Sequence, residues 1–267
     1  MALEELLATF YGLHPLIKAG IVDVGIQWGL WCVAAYLKTE VFYDLAGSST
    51  FLLLAWQSLG WGKMYHTRQV VQTLFVSAWS LRLGSYLFVR IINDKGVDKR
   101  FNRARDSPYL FFIYWTVQAA WIWVTLAPTM ILNTKRQNPD LSARDYIGWS
   151  LWLVGFILET VADTQKSSFK SNPNNHGKWI QTGLWKVSRH PNYLGEMMLW
   201  IGLFVSASSV LKGLEWISIL SPGFVVFLLT RVSGIPLLER QAEKRWGQLA
   251  AYQDYKRNTA CLIPFIW

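Results

Sequence analysis

The chain has 267 residues, 52% hydrophobic and only 16% charged, with a net charge of +9 and a mean hydropathy of +0.20. A soluble domain of this length carries nearer a quarter charged residues, so the composition indicates a membrane protein. The basic loops are short and tied to apolar runs, which excludes nucleic acid as a partner, and the two cysteines form no CxxC metal pattern.

In chain order, residues 1–16 carry Glu4 and Glu5 but no Lys or Arg. That is the reverse of a secretory signal and predicts a short N-terminal surface segment. Seven apolar runs follow, at about 17–37, 46–62, 70–90, 109–133, 145–163, 193–211 and 214–235, against the roughly 17–25 residues a helix needs to cross a bilayer. The second is short and Pro222 breaks the seventh, so six spans is the competing count. Residues 236–267 form a polar tail.

The expected fold is therefore all-α, an integral membrane bundle of about seven transmembrane helices in a single domain over 1–267. Lys and Arg fall 17 to 7 in favour of the side that holds the loops near 90–105 and 166–189 and the tail. This places the C-terminus in the cytoplasm.

Ionisable groups inside spans cost roughly 2.5–3.5 kcal/mol each even on a lenient scale, so each needs a partner or a role. Asp23 has Gln27 four residues on, Asp44 enters the second run in "FYDLAGS", and Arg82 sits mid-run in "WSLRLGSYL". Glu159 and Asp163, four apart, share one helix face and call for an answering cation or donor.

The stretch "SRHPNYLGE" gathers more. With Pro191 in the first helical turn, Asn192 and Glu196 stack on one face, and Arg189 and His190 lie at the positive end of the helix dipole, a natural place for an anion. Four scattered histidines without an HxxxH cluster exclude a di-iron membrane oxygenase, and no metal site is expected. No Gly-rich fingerprint follows a strand, so a nucleotide would not lie on a Rossmann turn.

"GLWKVSRHPNYLGEMMLWIG", "ETVADTQKSSFK" and the terminal "YKRNTACLIPFIW" resemble the membrane-embedded steroid 5-alpha-reductase family, especially its bacterial members, over most of the chain. The RHPNY element alone is also similar to versions in isoprenylcysteine carboxyl methyltransferases, phospholipid methyltransferases and sterol delta-14 reductases. Asn192 and Glu196 followed by Trp200, with the LIPFI terminus, favour the reductases.

The resemblance implies an enzyme of the bacterial inner membrane that takes hydride from NADPH to reduce the enone of a lipophilic substrate, a 3-oxo-delta-4 steroid above all. It implies membrane lipids as further partners, and a monomer is assumed. Asn192, Tyr193 and Glu196 then meet the reactive end of the cofactor, Glu159 and Asp163 its adenosine part, and Lys166, Lys170, Arg189 and His190 its phosphates. Arg82 and Arg231 match arginines of the third and seventh spans.

Two positions differ from the family pattern. Its carbonyl-binding Glu is answered here by Tyr43-Asp44, with Asp44 the expected protonated donor to the substrate oxygen, and Trp79 stands where a partner Tyr is expected. The alternatives are an S-adenosylmethionine-dependent membrane methyltransferase and a non-catalytic sterol- or lipid-binding protein.

Overall fold

A computed structural model describes residues 2–93 and 95–266 of the chain. Ten α-helices occupy most of them: α1 Ala2–Gly12, α2 Pro15–Leu37, α3 Tyr43–Gly62, α4 Thr67–Asn93, α5 Pro108–Asn133, α6 Ala143–Ser171, α7 Pro191–Ala207, α8 Leu220–Phe227, α9 Ile235–Trp246 and α10 Ala250–Asn258. Among the described residues there is no strand, only an isolated bridge between Ser188 and Ala260. The protein is all-helical, as expected.

Local chemistry sets the ends. Proline opens α2, α5 and α7, where its missing N–H costs nothing. Ser107 caps α5 by accepting from the Leu110 amide, and Lys38 and Lys63 close α2 and α3 in the left-handed region.

Five helical runs are long and apolar enough to cross a membrane: Pro15–Leu37, Thr67–Asn93, Pro108–Asn133, Ala143–Ser171 and Gly213–Trp246. The last changes character along its length. A 3-10 turn at Gly213–Ile219 leads into α8, a π-helical turn covers Leu228–Val232, and a break at Ser233–Gly234 precedes α9. Five of the twelve α9 residues are charged, so its apolar part ends before that break. Pro222 falls in the first turn of α8 and does not stop the helix.

The chain divides into two compact units, residues 1–142 with 207–221, and residues 143–206 with 222–267. In the first, α2 to α5 are joined by buried amides. Gln27 donates to Thr50 Oγ1 (3.0 Å), Gln118 to Gln27 Oε1 (2.9 Å) and Gln72 to Thr129 Oγ1 (2.9 Å). Asn133 donates to Ala55 O, Ser58 Oγ and Thr73 Oγ1 at 3.0–3.1 Å. Lipid removes most of the hydrophobic drive between helices, so such bonds, worth about 0.6–2 kcal/mol each, specify who packs against whom.

The second unit is organised by a glycine seam. A Cβ on Gly155 would lie 2.6 Å from Gly195 O, and one on Gly195 would lie 2.6 Å from Glu159 N. Two turns further on, Gly148 faces Gly202 and Ser206 as closely. The pairing of 148 with 202 and 155 with 195 makes α6 and α7 antiparallel, backbone against backbone. Ser206 Oγ, donating to the buried Asp145 (3.2 Å), closes one end.

Leucine at Gly155 should therefore separate α6 from α7, at a cost of about 1–3 kcal/mol or more. Alanine at Gly25, whose added Cβ meets nothing within 4 Å, should leave the melting temperature in detergent unchanged. Equal melting of the two variants would show that the seam does not hold the helices.

Candidate cofactor site

At the other end of the seam the sequence-predicted polar residues meet. Asn192 Nδ2 donates to Asp163 Oδ1 (3.1 Å), and Asp163 and Glu159 are both buried. Glu159 lies against Gly195, whose neighbour Glu196 is half-buried one turn past Asn192. One of the two carboxylates of α6, Asp163, is thus answered across the seam by the amide of α7. No single helix face could bring Glu159, Asp163 and Asn192 together; the close approach does.

Just before α7 the chain is tied to its own tail. Ser188 Oγ donates to Leu262 O (2.7 Å) and the Arg189 amide to Ala260 O (2.9 Å). The Arg189 guanidinium donates to Lys256 O (2.9 Å), Thr259 O (2.8 Å) and both carboxylate oxygens of Glu239 (3.2 and 3.1 Å). His190 Nε2 lies 2.9 Å from Glu239 Oε1, and its ring stacks on Tyr193.

Arg189 and His190 therefore spend these bonds on Glu239 and the tail. At the start of α7, where the sequence suggested an anion site, they form a latch. Burial raises the Glu239 pKa, but His190 and Arg189 outweigh it and hold the group at about 2. For His190, burial outweighs the help of Glu239 and lowers its pKa. Glu239 escaped the sequence reading; the signal was the Arg-His pair beside a helix start, which needs a carboxylate once it is buried.

Against the latch lies a cavity of about 320 Å³, near the lower bound of roughly 300 Å³ for ligand clefts. Its cations are Lys166, Lys170, Lys178, Arg189 and Arg245, and its walls include Trp179, Trp185, Trp246, Tyr252 and Tyr255. Lys166 Nζ sits 4.8 Å from the Trp185 ring centre. The aromatic wall is braced by Tyr255 donating to Trp185 O (2.8 Å) and Trp246 to Gly177 O (2.6 Å). Flat aromatic faces beside several ammonium groups fit a phosphorylated nucleoside: rings for the base, cations for the phosphates.

The described residues hold one trio of metal-ligating atoms, on His190, Glu239 and Cys261, within 4.8 Å of one another. Both oxygens of Glu239 are already bonded and the Arg189 cation lies against them. That environment is a salt-bridge core and does not fit a metal.

Lys170, exposed near the end of α6, is on the cavity rim. The remaining predicted residues lie elsewhere. Arg231 is exposed on the π-helical turn. In the first unit, Asp44 accepts from Arg100 (2.7 Å) and Arg90 (3.3 Å), so it is an ion-paired carboxylate. Its surroundings differ from the apolar ones expected from the sequence: two guanidinium groups face the carboxyl. Nearby, the buried Glu40 pairs with Arg105 and accepts from the Asp98 amide (2.9 Å).

Tyr43 donates its hydroxyl to Tyr114 O (2.8 Å), with its ring packed on Phe101 and Trp115. Both side chains build the end of the bundle. Arg82 lies 5.4 Å from the centre of the Tyr86 ring.

Comparison with known proteins gives distant relatives. The chain is 22% identical over 227 residues to "Uncharacterized protein C594.04c" of Schizosaccharomyces pombe, covering 73% of this chain and 65% of the relative. It is 29% identical over 119 residues to "3-oxo-5-alpha-steroid 4-dehydrogenase 1" of Rattus norvegicus, 45% of this chain and 40% of the relative. A shorter stretch of 78 residues is 33% identical to "Probable O-methyltransferase ustE" of Ustilaginoidea virens, 29% of this chain and 26% of the relative.

The matches thus span less than two thirds of each of these relatives, and no solved structure matches. Reductase names among the relatives point to an oxidoreductase. A family model described as "Protein of unknown function (DUF1295)" matches residues 30–259, and the chain belongs to that family.

Proposed function

We propose that this protein is a membrane-embedded reductase that uses NADPH to reduce the enone of a lipophilic substrate, a 3-oxo-delta-4 steroid or a molecule of that shape. The observation that carries the reading is the cation-lined aromatic cavity, whose Lys166 follows the buried Asp163 by three residues on α6 and whose His190 precedes Asn192 by two. The cavity suits the phosphorylated adenosine end of a nucleotide. Asp163 and Asn192, bonded to each other at the end of the seam nearest in sequence to the cavity-lining Lys166 and His190, would meet the remainder of the cofactor as it leaves the cavity.

When bound, NADPH supplies a hydride to the β-carbon of the enone, and charge then develops on the carbonyl oxygen. Lys166, Lys170, Lys178 and Arg245 would hold the phosphates, and Asn192 and Asp163 would orient the polar part beyond them. Glu196 is the candidate group at the reactive end, delivering a proton as the enolate collapses. Arg82 and Arg231 are carried as further contacts by the family resemblance. Seven spans, with α3 and α7 crossing beside the five long runs, would put the tail and the nucleotide cavity in the cytoplasm of a bacterial inner membrane. The substrate would then enter laterally from the lipid.

The match to a probable O-methyltransferase favours a second reading, methyl transfer from S-adenosylmethionine. Titration of the purified protein with the two cofactors separates them: NADPH should bind and S-adenosylmethionine should not. The reverse result would establish the methyltransferase.

Lysine 166 and 170 changed together to alanine should weaken NADPH at least about tenfold, the loss of about 1.4 kcal/mol of phosphate contact. Glu196→Ala should lower turnover about 100-fold, the scale of a lost general acid, with the NADPH dissociation constant unchanged. Equal turnover in that variant would remove Glu196 from the chemistry.

The latch makes a separate prediction. Glu239→Gln loses charge-assisted bonds and should cost about 2 kcal/mol at neutral pH. In the unmutated protein the carboxylate contributes stability above its ordinary pKa of 4.5 that is lost as pH falls toward about 2. Melting curves between those values should fall for the wild type and stay flatter for the variant.

A further inference from the structure

On the expected seven-span topology, seven Lys and Arg residues fall on the side opposite the basic loops, and the proposed reaction uses none of them. The structure gives several of them a shared setting in the first unit. A cleft of about 840 Å³ between residues 135–139 and 209–212 is lined by Lys135, Arg136 and Lys212. Beside it a second groove of about 380 Å³ runs between α5 and residues 214–221, with Trp123, Ala127, Ile217 and Leu220 among its walls.

The Lys135–Glu215 ion pair, at 2.6 Å, stands between the two: Lys135 lines the cleft and Glu215 the groove. Glu215 answers one of the three cations, so the cleft keeps a positive balance. Arg136 is exposed, and Lys212 Nζ donates to the neutral Gln137 Oε1 at 3.3 Å.

The rim is built in advance. Arg68, 0% exposed, is spent on the loop that carries these cations, donating to Asn138 Oδ1, Pro139 O (3.2 Å) and Asp140 O (3.1 Å). Gln69 Nε2 adds bonds to the carbonyls of Leu132, Asn133 and Lys135. On the facing segment Glu215 accepts from the Lys212 amide (2.7 Å). A buried guanidinium is a costly way to order a loop, and its result is a fixed set of donors facing a cleft.

We propose that the two cavities form one site for an anionic glycerophospholipid, with its phosphate on Arg136 and Lys212 and one acyl chain in the α5 groove. Charge complementarity selects the class: the cleft repels cationic heads and offers a zwitterion only half an interaction. The apolar groove distinguishes a lipid from a free phosphate ester. Trp123, which donates to Leu16 O (2.8 Å) at the groove, is the type of side chain that marks the interfacial level of a bilayer.

The test uses the full chain, purified and stripped of lipid, with retained lipid counted by native mass spectrometry. The probes are phosphatidylglycerol, phosphatidylcholine and glycerol 3-phosphate. Phosphatidylglycerol should be retained at least about tenfold better than the other two, and the preference should vanish in the double variant Arg136→Glu, Lys212→Glu. Ala127→Trp, which fills the groove and leaves the cations in place, should also lose phosphatidylglycerol.

Equal retention of both lipids, competition by glycerol 3-phosphate at the same concentration, or full retention by the double variant would each overturn the site. None of these substitutions touches Arg68 or Gln69. The helical circular dichroism of each variant checks its fold, and Arg136→Gln with Lys212→Gln replaces a pair that fails to fold.

Discussion

The close approach of α6 and α7 is the constraint on which the candidate site depends. Side chains longer than hydrogen at Gly148, Gly155, Gly195 and Gly202 would push the backbones apart. Apart, Asp163 and Asn192 could not bond, and Glu159 would no longer lie under the start of α7. Burying two carboxylates in a membrane protein is costly, and the seam offsets part of that cost by bringing the Asn192 donor to Asp163. The polar set is thus a consequence of how the helices pack as much as of which residues are present.

Charge is used differently in the two units. In the second, Arg189 and Glu239 lock the entry of α7 to α9 and the tail, while lysines remain around the aromatic cavity. In the first, Asp44, Asp98, Arg90 and Arg100 neutralise one another, and Glu40 with Arg105 does the same deeper in. The paired cations organise the chain, and the lysines that line the aromatic cavity are the proposed phosphate partners.

Much of this was legible in the sequence. Apolar run length marked the helices, because a membrane span needs continuous hydrophobicity, and Pro15, Pro108 and Pro191 marked three starts. The pairs Glu159/Asp163 and Asn192/Glu196 could be placed on single faces from their spacing of four. Their meeting could not be read, since the glycines at 148, 155, 195 and 202 signal a contact only once both helices are known to share it. The same holds for Asp44: in sequence it stands in apolar company, while Arg90 and Arg100, 46 and 56 residues away, supply its charge partners. Long-range ion pairs leave no local pattern.

Hydride transfer is the central claim, and isotopic labelling tests it most directly. NADPH deuterated at the transferred position of its nicotinamide ring, incubated with the purified protein and a 3-oxo-delta-4 steroid, should yield a saturated product carrying one carbon-bound deuterium. Conversion with no label in the product, or methylation of a lipid acceptor by S-adenosylmethionine in its place, would contradict the account.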